Sequence, residues 1–464
     1  MLRVSSFGAA GCVTGSLHYI ESGKVRLLID CGMFQGVDES RNNERFAFDP
    51  ATIDYLVITH AHLDHIGRIP LLVKRGFRGM IVTTEQTYEI ARVMLLDSAK
   101  IMREDYHTFF KKAQRRGEEH TVPEPLYDEE DVEKTFRLQA RFLTYGETVK
   151  MPPGITVRFY RAGHILGASI VQLDLGRGDE QRRLVFSGDI GDHNRMIMRG
   201  VEYVERADAL YVESTYGDRL HKGLEPSIAE FETAILETFE RGGVVLIPSF
   251  ALERTQEVLF LLFKMEKKGM LDGVRIFLDS PLAHKATLLY ERFSDELNDS
   301  VKEAFLKGED PFRPVSLEIT QKKADSLKIN TCETRTIIIA GSGMCTGGRI
   351  LHHLKNRLWN PNNSVIFTGY QAEGTLGREI IEGHETVELF GETVLVRSRI
   401  YTIGGFSAHG DQRDMLDWIG HFNKLGRVCL IHGEAAGLAG MQEALDRCSG
   451  IKAHIVKNGE TVHI

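Results

Sequence analysis

Asp54-Tyr55-Leu56-Val57-Ile58-Thr59 runs directly into His60-Ala61-His62-Leu63-Asp64-His65-Ile66-Gly67. The first part is a short apolar run of strand length. It ends abruptly in three imidazoles and a carboxylate. Alternate residues of an extended loop point to one side, so His60 and His62 can grip one ion while Asp64 and His65 turn to a second. Neutral nitrogen and hard oxygen donors suit zinc in tetrahedral or slightly larger shells. One loop cannot complete two shells, so the remaining ligands must come from elsewhere in the chain.

Other apolar runs end in the same way. Arg183-Leu184-Val185-Phe186 leads to Ser187-Gly188-Asp189, Ala209-Leu210-Tyr211-Val212 to Glu213-Ser214-Thr215, and Val428-Cys429-Leu430-Ile431 to His432-Gly433-Glu434. Each reads as a buried strand with a polar residue just past its carboxyl end, where a rigid sheet positions binding groups. His164, Asp189 and His432 are therefore the available partners of the histidine loop. A carboxylate at Asp189 could bridge two metals roughly 3.5–4 Å apart, the spacing of two-metal sites. The remaining histidines, His409 apart, lack such a setting and read as surface or core residues.

Composition narrows the field. Of 464 residues, 42 % are hydrophobic and 26 % charged, as in a soluble globular protein with room for two or three domains. The formal net charge of -8 argues against nucleic acid binding over the whole surface. Any nucleic acid must be held locally, in a cleft. The six cysteines form no CxxC pair, which excludes a thiolate zinc site or a dithiol redox motif and fits a reducing compartment. The first residues lack the apolar core of a signal peptide, and no stretch is long enough to span a membrane. The expected location is cytoplasmic.

Glu85 to Lys112 is helix-like, and the charged stretch to Lys134 reads as a solvated segment. From about 219 to 399, helical patterns (Ser227 to Arg241, Ala251 to Lys268) alternate with strands at Gly243–Pro248, Val274–Leu278, Thr336–Ala340 and Ser364–Thr368. Such alternation implies a parallel sheet. This block separates Glu213 from His432, so it is an insertion. The expected organisation is a first domain over 1–218, an inserted domain over 219–399, and the first domain resuming over 400–464.

These motifs resemble the β-CASP family of RNA-processing nucleases, which carry a metallo-β-lactamase fold. The resemblance runs through Leu28-Ile29-Asp30-Cys31-Gly32, the histidine loop, Ala162-Gly163-His164, Ser187-Gly188-Asp189, Glu213-Ser214-Thr215-Tyr216-Gly217, Pro248-Ser249-Phe250-Ala251, Gly341-Ser342-Gly343-Met344, Phe406-Ser407-Ala408-His409 and Ile431-His432-Gly433-Glu434. It implies an α/β architecture: a four-layer αββα metallo-β-lactamase domain interrupted by an α/β β-CASP domain. It further implies two Zn2+ ions per chain. One would be held by His60, His62 and His164 and the other by Asp64, His65 and His432, with Asp189 bridging. His409 would be the general acid, oriented by Glu213, and Asp64 belongs to the catalytic set as well as to the ligands. A histidine at the position of His432 goes with RNA substrates in this family.

The resemblance implies a zinc-dependent ribonuclease in which a metal-bound hydroxide attacks phosphorus, leaving 5′-phosphate and 3′-hydroxyl ends. Single-stranded RNA would lie in an interdomain cleft. Glycine-rich turns after two strands of the insertion mark Ser342, Arg349 and Arg378 as candidate phosphate contacts. The rival readings are a small-molecule ester or thioester hydrolase of the same superfamily and a non-catalytic RNA-binding protein. The sequence leaves open endonuclease or 5′-exonuclease action, RNA preference, action on DNA, and monomer or homodimer.

Overall fold

The computed structural model describes residues 2–464. The chain divides into two compact units, one formed by 1–193, 200–220 and 409–464 and the other by 194–199 and 221–408.

The first unit is built on two seven-stranded sheets. One runs in the order Thr461–His463, Leu2–Ser6, His18–Ser22, Val25–Ile29, Tyr55–Val57, Met80–Thr83, Ala140–Phe142. The other runs His454–Ile455, Lys424–Ile431, Arg206–Glu213, Arg182–Phe186, Ser169–Leu175, Ile155–Arg161, Thr148–Met151. Their facing side chains form one core: Val4, Ile20, Leu27 and Val57 pack with Val157, Phe159, Leu173 and Phe186. Helices such as Ala435–Ser449, which packs on Lys424–Ile431, take the outer faces, giving αββα layers. Ser169–Leu175 is buried at every position because both of its faces are covered. The 30-residue helix Glu85–Gln114 starts at Thr84, whose hydroxyl accepts from the Thr87 N–H, a regular N-cap.

In the second unit a six-stranded sheet has the order Leu317–Ile319, Arg275–Leu278, Thr336–Ala340, Val244–Pro248, Ser364–Phe367, Arg399–Thr402. Every pairing in it is parallel. Parallel neighbours need crossovers, and the helices Arg254–Lys267, Pro281–Arg292 and Ile350–Arg357 lie in the connections between its strands. The core gathers Val244, Leu246, Ile338, Leu354, Val365 and Phe367. Among the described residues no helix is long and apolar enough to cross a membrane.

Candidate metal centre

The strand Tyr55–Val57 delivers the histidine loop, and His62 caps a single helical turn, Leu63–Ile66. The loop is pinned from behind. Backbone N–H groups of Ser16, Cys31 and Met33 donate to the carbonyls of Asp64, His65 and Leu63 at 2.8 Å. A Cβ on Gly32 would come within 1.6 Å of the Asp64 carbonyl oxygen, so only glycine permits this approach.

Two clusters of donor atoms result. His60 Nε2 and His164 Nε2 lie 3.1 and 3.0 Å from His62 Nδ1, and 3.3 and 3.5 Å from Asp189 Oδ2. His65 Nε2 lies 3.1 Å from His432 Nε2, and these nitrogens stand 3.3 and 3.6 Å from the other Asp189 oxygen, Oδ1. Asp64 Oδ2 completes this second cluster, 3.5 Å from His432 Nε2. Each cluster is compact enough to hold an ion.

The residues fit metal ions on two grounds. Zn–N bonds of about 2.0–2.1 Å in a tetrahedron place donor atoms about 3.3 Å apart, close to the spacings seen here. Moreover, the buried Asp189 Oδ1 accepts no hydrogen bond, and a carboxylate oxygen left so is costly without a cation. Burial holds His60 at about 3 and His62 at about 4, so both are neutral and offer lone pairs. Burial opposes ionisation of Asp64 and Asp189. The hydrogen bond from His432 and the charge of His65 nonetheless hold Asp64 well below the usual carboxylate range, and the charges of His432 and His65 do the same for Asp189.

The outer nitrogens are also held. His65 Nδ1 lies 2.7 Å from Asp30 Oδ2, and Asp30 accepts from the Thr59 N–H and hydroxyl at 2.8 Å each. Thr59 Oγ1 lies 3.1 Å from His60 Nδ1, and Thr215 Oγ1 lies 3.1 Å from His432 Nδ1. Such partners fix ring orientation and direct the other nitrogen inward. Asp30 (φ 60°) and His432 (φ 49°) adopt left-handed backbone that non-glycine residues seldom take, and such strain collects at functional sites. Asp30, Thr59 and Thr215 were not singled out from sequence for these roles. The position of Asp30 just past a strand was the available signal.

Beside the first cluster stands His409, its Nε2 4.0 Å from Asp189 Oδ2. Its Nδ1 lies 3.0 and 3.1 Å from the two oxygens of the fully buried Glu213, which also accepts from the Ile190 N–H at 2.6 Å. Burial alone would lower the His409 pKa, but the charge and hydrogen bond of Glu213, then the charges of Asp189 and Asp64, push it up to about 9. The imidazole is thus kept protonated, with Nε2–H facing the cluster.

The three candidate phosphate contacts have partners inside the second unit. Ser342 Oγ accepts from the Thr346 and Gly347 N–H groups at 2.9 and 3.3 Å. Arg349 donates to Asp279 at 2.6 Å and to the carbonyls of Thr320 and Gln321 at 3.0 and 2.8 Å. Arg378 pairs with Glu382 at 2.6 Å. Arg349 is thereby committed to the interior of its unit.

Residues 10–139 match the metallo-β-lactamase superfamily, 255–380 the β-CASP domain, and 393–456 the Zn-dependent metallo-hydrolase RNA specificity domain. Ribonuclease TTHA0252 of Thermus thermophilus is 38 % identical over 463 residues, covering 100 % of both chains. The chain belongs to the β-CASP nuclease family. As a β-CASP nuclease it is a metal-dependent hydrolase. An RNase J-like protein of Methanocaldococcus jannaschii is 32 % identical over 440 residues, 94 % of this nuclease and 93 % of that protein. Transcription termination factor FttA of Methanothermobacter thermautotrophicus is 30 % identical, over 100 % of this chain and 72 % of its own. A crystal structure of a protein of unknown function from Enterococcus faecalis shares the fold, with a TM-score of 0.54 at 12 % identity over 100 % of both chains.

Proposed function

We propose that this β-CASP nuclease cleaves RNA phosphodiester bonds with two zinc ions, leaving 5′-phosphate and 3′-hydroxyl ends. The observation that carries the reading is the bridging posture of Asp189, one oxygen towards each donor cluster, with the His409–Glu213 pair alongside. Zinc bound there would supply positive charge to a phosphoryl group and acidify a water molecule. In this reading His60, His62 and His164 hold one ion, Asp64, His65 and His432 the other, and Asp189 both. His409 donates its Nε2 proton to the departing 3′-oxygen, while Glu213 holds the ring and keeps it charged. Asp30, Thr59 and Thr215 orient the imidazoles.

The RNA specificity domain and the relative named as a ribonuclease support RNA as the substrate class. An acid held ready for an alkoxide suits a nucleotide leaving group. Hydrolysis of a small thioester, whose thiolate leaves without a proton, gives it no comparable task. The test is labelled single-stranded RNA incubated with and without chelator, with the product ends determined. Cleavage is expected to stop with chelator and return with zinc. His409→Ala is expected to lower turnover by about 10²–10⁴-fold, the usual value of a general acid, with zinc content unchanged. Cleavage that ignores chelator, or loss of zinc from the variant, would refute the assignment.

A further inference from the structure

Arg195, Glu253, Arg254, Glu257 and Tyr290 form a buried ionic group that the chemistry above does not use. The side chains of Arg195, Glu253 and Glu257 are only 3, 2 and 2 % exposed. Arg195 Nη2 donates to Glu253 Oε1 at 3.3 Å and to Glu257 Oε1 at 3.2 Å. Tyr290 donates to Glu253 Oε2 at 2.8 Å, and Arg254 pairs with Glu257. Burial, then the charge of Glu257, pushes the Glu253 carboxyl up to about 8. Glu253 itself sits at φ 61°, a costly conformation for a non-glycine residue.

Such a group is a poor way to gain stability. Desolvation offsets most of the Coulombic attraction, and apolar packing of equal volume does as well or better. A buried guanidinium does fix geometry, however, and here the geometry is that of the chain leading to His409. The other terminal nitrogen of Arg195, Nη1, donates to the Ser407 carbonyl, two residues before His409. Directly after His409, the Gly410 N–H donates to the Ile190 carbonyl at 2.7 Å, and Ile190 also donates to Glu213. Arg195 thus holds the Ser407 carbonyl within the second unit, and Ile190 holds the Gly410 N–H within the first.

We propose that Arg195 is a positioning residue for His409, clamping the Ser407 carbonyl from a base of Glu253 and Glu257 so that the imidazole is presented in one place. The proposal rests on the reading of His409 as the acid. A planar fork is required, because one terminal nitrogen of the guanidinium must serve oxygens of both Glu253 and Glu257 while the other serves a carbonyl. An ammonium is a point charge and cannot span the two.

The experiment compares Arg195→Met and Arg195→Lys with the unaltered enzyme, each zinc-loaded and full-length, on two substrates. RNA releases an alkoxide that needs a proton. Bis(p-nitrophenyl) phosphate releases a phenolate that needs none. Arg195→Met is expected to lower kcat on RNA by about 10–100-fold, the scale of a small misplacement of a reacting group. KM, zinc content and hydrolysis of the activated diester should stay within about twofold. Arg195→Lys, which keeps the buried charge and guards against misfolding of the methionine variant, should show the same split to a smaller degree. Adding either change to His409→Ala should cost nothing further. Equal loss on both substrates, additive loss in the His409→Ala background, or loss of zinc would overturn the proposal. Failure of the unaltered enzyme to cleave RNA in a chelator-sensitive way would instead defeat the functional reading beneath it.

Discussion

Asp189 and Asp279 are both buried, and both follow the last residue of a strand closely, yet their surroundings are opposite. Asp279 is saturated by the protein. Arg349 and Thr320 donate to one oxygen, and Ser326 and His353 donate to the other at 2.6 and 2.7 Å. Burial would raise its pKa, but these four donors, His353 foremost, hold it well below the usual carboxylate range. Asp189 is instead ringed by imidazole nitrogens, several of them belonging to rings held neutral, and one of its oxygens accepts no hydrogen bond. A carboxylate whose lone pairs are filled by donors, a guanidinium among them, fastens a fold. One ringed by imidazole nitrogens, with an oxygen that accepts no hydrogen bond, suits a cation from outside.

The sharpest way to break this contrast is substitution at the two aspartates. Asp189→Asn is expected to abolish detectable turnover, a fall of at least about 10³-fold, and to lower zinc content. Asp279→Ala should do the reverse. It leaves Arg349 and His353 without their carboxylate and is expected to cost about 3–5 kcal/mol of stability. Zinc bound per chain should not change, and metal analysis of the folded variant checks it.

The smallest effect concerns a third buried carboxyl. Glu253 has its folded-state pKa raised to about 8 from an ordinary value of 4.5. The folded state then holds the proton more tightly than the unfolded chain. The contribution is present in full below about pH 4.5 and is lost as pH rises through about 8. Denaturant midpoints of Glu253→Gln, set against the unaltered protein across that range, should show the difference narrowing or reversing in favour of the variant by on the order of 1–3 kcal/mol. A difference that is flat with pH would mean that Glu253 is ionised throughout.

The legibility of these carboxylates differed in the sequence. The histidine loop announces itself because its donors lie within six residues of one another after an apolar run. Asp189 and His432 could be found as polar residues at strand ends, and the inserted parallel sheet through its alternating helix and strand patterns. The partners of the outer ring nitrogens could not be found in this way. Asp30 reaches His65 across 35 positions and Thr215 reaches His432 across 217, and a lone aspartate or threonine carries no spacing signal. The glycine-rich turn before Arg349 suggested phosphate, whereas its partner, Asp279, stands 70 positions away. Within Ser169–Leu175, by contrast, Val171-Gln172-Leu173-Asp174-Leu175 carries the twofold alternation that marks a strand, although every position is buried.

The first unit is closed by the last part of the chain. The strand Lys424–Ile431 pairs with Arg206–Glu213, Thr461–His463 pairs with Leu2–Ser6, and His432 stands at the second donor cluster. A ribosome making this protein therefore has no working centre until Lys424–Ile431 and His432 have been made, although most donor residues emerge much earlier. The discontinuity acts as a timing device: on the proposed chemistry, the centre is assembled only after the whole of the inserted second unit has been translated.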